Sequence, residues 1–127
     1  MAELPYRRLE VWREAFRLGM EIVEFTEVGE VSKRWHLRDQ IAAAALSVPA
    51  NIAEGNGRST PRDYASFIDR ARGSLFEVDN WLLVCRERQL LESQQYLDWA
   101  QRVEDLSSRL LRLARALREK DSLASRG

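Results

Sequence analysis

The sequence predicts an all-α protein, an antiparallel up-and-down four-helix bundle whose second helix is kinked at Pro49. Three observations carry that reading. Apolar residues recur at alternating spacings of three and four, the period of one helix face. Only three prolines and six glycines occur in 127 residues, which suits long helices and not a turn-rich β fold. The stretches between periodic segments are short, so successive helices must return alongside one another.

The first helix is expected over about Leu9–Thr26, with Leu9, Trp12, Phe16, Met20 and Val23 on its core face. Ile22 and Phe25 widen that face, while Glu10, Arg13, Glu14, Arg17, Glu21 and Glu24 are left to solvent. Oppositely charged pairs three apart, Glu10–Arg13 and Glu14–Arg17, support the helix. In the second helix the core stripe is Leu37, Ile41, Ala45, Val48 and Ile52, beside a wall of small residues from Ala42 to Ala45. Pro49 falls inside this pattern. It lacks an amide hydrogen and clashes with the carbonyl four residues back, so a kink or break is expected near Ser47–Val48. Gly55 and Gly57 then end the element.

The third helix opens on Thr60-Pro61-Arg62-Asp63, with Thr60 as N-cap, proline at the first helical position and an acid at the third. Its heptad seam runs Tyr64, Ile68, Ala71, Leu75, Val78, Leu82 and Cys85, flanked by Phe67 and Trp81. The fourth begins near Ser93 and carries Tyr96, Trp99, Val103, Leu106, Leu110, Leu113 and Leu117. Only Arg88–Glu92 separates the two, which makes them antiparallel neighbours. Gly73 in the middle of the third helix costs about 1 kcal/mol against alanine, and close approach of another backbone would explain it.

Residues 1–127 fit one domain, with 1–7 and 121–127 expected to be flexible. Hydrophobic residues make up 45% and charged residues 31% of the chain, the balance of a globular protein and not of a disordered one. Twenty basic and twenty acidic side chains leave no net charge, so no global field draws the chain to nucleic acid or membrane. No apolar run approaches the ~18 residues of a membrane span, and the first residues lack a signal core. A cytoplasmic location with no membrane partner is expected.

Chemistry is sparse. One histidine, His36, with Asp39 nearby supplies too few ligands for a metal. The single cysteine, Cys85, sits in a core seam and reads as a small hydrophobe. No Glu-x-x-His motif, phosphate loop or dinucleotide fingerprint occurs. No catalytic residue, cofactor site or metal site is assigned, and the chain reads as a non-enzyme.

Two groups of residues stand out as candidate sites. Ser47, Pro49, Asn51, Glu54 and Gly55 surround the proline, where the carbonyl freed by Pro49 and the three polar side chains offer either a polar pocket or a subunit contact. Equally, Ser47 and Asn51 can satisfy freed backbone groups while Glu54 pairs with a nearby arginine. Arg58, Arg62, Arg70 and Arg72, with Arg109, Arg112 and Arg115 of the last helix, are candidate nucleic-acid contacts. Asp63 and Asp69 lie among the first group, and arginines near a helix C-terminus also complement its dipole. Trp35, off the main stripe of the second helix, can anchor an interface or cover the bundle end.

Three segments together resemble a known family. They are Arg8-Leu9-Glu10-Val11-Trp12, the run Leu46–Arg58 containing Ser-Val-Pro-Ala-Asn-Ile-Ala-Glu-Gly, and Arg70–Glu77. Over residues 6–115 the chain resembles the four-helix-bundle proteins encoded in intervening sequences of 23S rRNA genes. The resemblance implies an up-and-down bundle that assembles as a homopentamer, and no known reaction. Relatives include the accessory protein of diversity-generating retroelements, a basic pentameric barrel that binds reverse transcriptase and nucleic acid. The expected function is therefore that of a pentameric scaffold or adaptor, with RNA or DNA binding through an arginine-lined face, or a nucleic-acid-processing protein as partner, as the alternative.

Overall fold

The computed structural model describes residues 3–126. Four helices account for most of them: α1 Glu10–Thr26, α2 Trp35–Asn56, α3 Pro61–Glu87 and α4 Ser93–Arg126. Short 3-10 turns at Pro5–Arg8 and Val31–Lys33 precede α1 and α2, and no strand occurs among the described residues. No helix among them is long and apolar enough to cross a membrane.

The contacts between neighbouring helices fall in reverse order along their partners. Asn56 meets Tyr64, and Ser47 meets Ser74, between α2 and α3. Tyr96 meets Asp79, and Arg118 meets Asp69, between α3 and α4. Glu10 meets Arg109, and Glu21 meets Arg102, between α1 and α4. This is the up-and-down arrangement that short connections dictate.

Local chemistry explains the ends of α3. Thr60 Oγ1 accepts from the Asp63 amide at 3.1 Å, and Pro61 follows the cap. At the other end Gln89 takes a positive φ of 61°, and the Leu90 amide donates to the Cys85 carbonyl at 2.8 Å. That left-handed residue closes the helix and turns the chain into α4.

The core seams of α3 and α4 follow the spacing. Ile68, Ala71, Leu75, Val78, Leu82 and Cys85 are buried on α3, and Trp99, Val103, Leu106 and Leu110 on α4. Tyr64, Tyr96, Leu113 and Leu117 pack against them, partly buried. On α2, Ile41, Ala45, Val48 and Ile52 are buried as expected, with Ala44 beside them.

The core face of α1 departs from the expectation in part: Leu9, Trp12, Val23 and Phe25 do pack against the core, partly buried. Ala15, Leu18, Gly19, Ile22 and Thr26 are buried, while Phe16 is 45% and Met20 48% exposed. The helix carries two apolar faces, and the one with the smaller residues turns inward. Ala15 and Gly19 let α1 approach α2 closely, which larger side chains would forbid. Thr26 is accommodated because its hydroxyl donates to the Val23 carbonyl at 2.6 Å.

Pro49 does not break α2, which runs as one helix from Trp35 to Asn56 with the proline buried inside it. A proline in a helix costs roughly 3 kcal/mol, and burial of Val48 and Ile52 on either side contributes roughly 1.5–3 kcal/mol each. Tertiary packing therefore carries the helix through. Gly55 likewise lies within α2, and the capping residue is Gly57.

Gly73 has no close neighbour: a Cβ built on it would meet nothing within 4 Å. The expected backbone approach occurs instead at Gly19 and Gly55. Parts of both terminal segments carry regular structure, since Pro5–Arg8 forms a 3-10 turn and α4 continues to Arg126. Residues 1, 2 and 127 lie outside the described residues.

Candidate functional site

The Pro49 segment forms a contact between α2 and α3, with its polar groups partnered inside the chain. The Ser47 hydroxyl lies 2.9 Å from the Ala44 carbonyl and shares a 2.6 Å hydrogen bond with Ser74. Asn51 Nδ2 donates to the Ser47 carbonyl at 2.8 Å. Glu54 accepts from Arg58 at 3.0 Å. Gly55 is forced by proximity, because a Cβ there would stand 2.8 Å from Cβ of Phe67 and 3.2 Å from the Tyr64 carbonyl oxygen. The three polar side chains thus each find a separate local partner.

The arginines singled out by the sequence are dispersed and largely engaged. Arg58 and Arg70 each place their guanidinium 4.5 Å from the ring centre of Phe67, an arrangement that favours a cation over an aromatic face. Arg72 lies 5.6 Å from the Phe76 ring, and its buried Nε has no hydrogen-bond partner among the described residues. Arg109 pairs with Glu10 at 3.2 Å. The backbone amide of Arg62 donates to Asp121 at 3.3 Å, fixing the start of α3 to the end of α4. Arg112 and Arg115 are exposed and make no ion pair among the described residues. Of the seven, Arg58 and Arg70 are brought together on the Phe67 ring.

A continuous apolar surface exists instead on the outside of α1. Tyr6 meets Trp12 edge to face at 4.9 Å, and Trp12 stacks on Phe16 at 5.0 Å. Met20 extends the stripe by one turn. A groove of about 400 Å³ runs along Trp12, Phe16 and Met20, lined also by Arg13, Arg17, Glu21 and Glu24. Leu46 of α2, 43% exposed, has its Cδ2 4.0 Å from where a Cβ on Gly19 would stand. Beyond Leu46, Ala43 and Ala50 are exposed on α2, so the small-residue wall noted in the sequence faces outward in part.

A second groove, about 580 Å³, lies between α3 and α4 and includes Phe76, Tyr96, Ala100 and Val103. Asp79 and Glu104 border it, and Asp79 accepts from the Tyr96 hydroxyl at 3.0 Å. The chain therefore presents two separate exposed apolar areas on different helix pairs.

Reactive groups are few. Burial pushes the Cys85 thiol up to about 11, so it stays protonated and inert near neutrality. Among the described residues no group of three or more His, Cys, Asp or Glu side chains could hold a metal ion. Glu21 is held below the ordinary carboxylate range, chiefly by its two hydrogen bonds from Arg102 at 2.8 and 2.6 Å. That pair ties α1 to α4.

Residues 7–112 match the sequence family described as 23S rRNA-intervening sequence protein. The chain belongs to that family. The matched span covers α1, α2 and α3 entire, with α4 as far as Arg112, and so contains the α1 stripe from Trp12 onward. The fold is also that of a crystal structure from Bacteroides thetaiotaomicron VPI-5482, described as a protein with unknown function from the S23 ribosomal protein family. The two superpose with a TM-score of 0.74 at 18% identity, over 82% of this chain and 97% of the other. At that identity the likeness is one of fold alone. No curated protein matches the chain.

For this member of the intervening-sequence protein family, the surface that sequence periodicity missed is the α1 stripe. The signal was present in Ala15 and Gly19, small residues four apart that mark the side of closest helix approach. Phe16 and Met20 overshadowed it, because size and hydrophobicity alone rank them first as core residues.

Proposed function

We propose that this chain is a self-assembling helical scaffold of the cytoplasm, without catalytic activity of its own, and that its assembled form is a homopentamer. The observation that carries this reading is the outward face of α1, where Phe16 is 45% and Met20 48% exposed beside the Tyr6–Trp12 pair. Contiguous aromatic and aliphatic surface of this kind marks an association site, and aromatic residues with Met are the side chains enriched in interface cores. The occupant is a second copy of the chain. The α3–α4 groove around Phe76 supplies a different apolar area for the same partner. Contact between two unlike patches is head-to-tail, and such contacts close into rings when the rotation allows.

Nucleic-acid binding through the arginines is the lesser reading. Of the seven candidates, Arg58, Arg70 and Arg72 are drawn onto aromatic rings and Arg109 onto Glu10, which leaves the side chains of Arg62, Arg112 and Arg115 for phosphates.

Light scattering on the purified chain at micromolar concentration tests the proposal. The expected mass is five times the 14.7 kDa of one chain, and a stable monomer would sink the reading. Phe16→Glu with Met20→Lys should reduce the mass to that of one chain while the helical circular-dichroism signal is kept.

A further inference from the structure

A cleft of about 420 Å³ opens where the start of α2 meets the end of α3, away from the α1 stripe. Its size is that of small-molecule sites. Trp35 forms one wall. It is 58% exposed even though His36 stacks on it with ring centres 3.4 Å apart. Leu90 and Val84 supply apolar surface, and Lys33, Arg34 and Arg88 supply three cations. No acidic residue lines the cleft. Lys33 is held by Glu30 at 3.3 Å, but Arg34 and Arg88 make no side-chain hydrogen bond or ion pair among the described residues.

These features set the cleft apart from the arginines that are drawn to partners inside the chain, and from Arg112 and Arg115, which line none of the grooves described. Arg58, Arg70, Arg72 and Arg109 have internal partners, whereas Arg34 and Arg88 line an open cleft together with the exposed Trp35 indole and the apolar Val84 and Leu90. An indole surface takes a planar heterocycle by stacking, and free guanidiniums take phosphate oxygens in bidentate fashion. Aromatic platforms flanked by basic side chains are how proteins hold unpaired nucleotides.

We propose that this cleft binds a nucleobase carrying a phosphate, with the base stacked on Trp35 and the phosphate held by Arg34 and Arg88. The source is either a free nucleotide or the nucleotides of a single-stranded RNA, which share that chemistry. The site does not depend on the self-association reading, since none of its residues belongs to the α1 stripe or the α3–α4 groove.

Calorimetric titration of the full chain at about 50 mM salt, where phosphate contacts are strongest, tests the assignment. The probes are adenosine 5′-monophosphate, a single-stranded oligoadenylate of about six nucleotides, and inorganic phosphate. Both nucleotide probes are expected to bind, and inorganic phosphate should compete poorly. Trp35→Ala, and separately Arg34→Ala with Arg88→Ala, should each weaken binding about tenfold or more, with helical content and light-scattering mass unchanged. Oligoadenylate binding far tighter than the mononucleotide assigns the cleft to an RNA strand, and equal affinity assigns it to free nucleotide. Absence of binding by both nucleotides, or binding undiminished in Trp35→Ala, overturns the proposal. So does equal competition by phosphate, which would make the base irrelevant, or loss of assembled mass in Trp35→Ala, which would make Trp35 a subunit contact.

Discussion

Gly19 of α1 lies so near α2 that a Cβ built on it would stand 3.0 Å from the carbonyl oxygen of Ala45. That carbonyl is the acceptor which Pro49, four residues on, leaves without its helical amide. The proline and the glycine thus belong to one contact: an acceptor in α2 that has lost its amide four residues on is covered by the bare backbone of α1, where a Cα–H group can approach it.

The glycines of α1, α2 and α3 should respond differently to alanine. Gly19→Ala gains helix propensity but forces the carbonyl aside, for a net loss of about 1 kcal/mol. Gly55→Ala meets the Phe67 Cβ and the Tyr64 backbone, neither able to swing away, and should lose about 2–3 kcal/mol. Gly73→Ala meets open space and should gain about 0.5–1 kcal/mol. Urea denaturation checks the order, and a stabilising Gly55→Ala would refute the packing described.

Leu18 and Phe16 separate the inner from the outer face of α1. Leu18→Ala should cost about 2–5 kcal/mol of folding stability, as expected for a buried leucine. Phe16→Ala should cost below about 1 kcal/mol in the dissociated chain, yet weaken self-association. Denaturation at low protein concentration, set beside light scattering, distinguishes the two. Equal destabilisation by both changes would return Phe16 to the core.

Glu21 and Arg102 make stability depend on pH in the acid range. The folded pKa of Glu21 lies below its ordinary value of 4.5, so its stabilising effect is complete above that value. It is lost as pH falls through the folded pKa. Both side chains are partly exposed, which limits the pair to about 0.5–1 kcal/mol after solvent screening. Glu21→Gln should therefore lower stability near neutrality and cease to matter well below pH 4.5. A difference from the parent chain that persists unchanged to low pH would count against the ion pair.

Cys85 should resist alkylation in the folded chain near pH 8 and react promptly once denatured. Its thiol is fully buried and shifted from 9.0 to about 11. Because the folded pKa is raised, the associated stability is present below pH 9 and is lost as pH climbs toward 11. Mass spectrometry after iodoacetamide treatment measures the reaction, and rapid native labelling would contradict the burial.

Helix number and type, the Thr60 cap and the seams of α3 and α4 were legible because each seam runs unbroken at heptad spacing, with outward apolar residues such as Phe76 isolated beside it. Periodicity then has a single solution. In α1 it has two, and the choice between Ala15–Gly19 and Phe16–Met20 rests on how closely a partner helix approaches, which belongs to tertiary geometry. That α2 would continue past Pro49 was not legible for the same reason, since a local rule set against burial of Val48 and Ile52 gives no magnitude for the burial. Glu54 with Arg58 was readable from their spacing of four. The attraction of Arg70 to Phe67 was also within reach at a spacing of three on α3, whereas that of Arg58 was not, because it requires the chain after α2 to fold back against α3. The cleft at Trp35 joins residues some fifty positions apart, Arg34 and Arg88, and no local pattern reports such a meeting.

The two ties between α1 and α4, Glu21–Arg102 and Glu10–Arg109, are partly solvated, and α1 is the shortest of the four helices. It is therefore the segment expected to open first in native-state hydrogen exchange, ahead of the α2–α3–α4 layer. If a neighbouring copy covers the outer stripe of the same helix, closing α1 and joining copies become linked equilibria. Amide protection in α1 would then rise with protein concentration while that of α3 stayed constant.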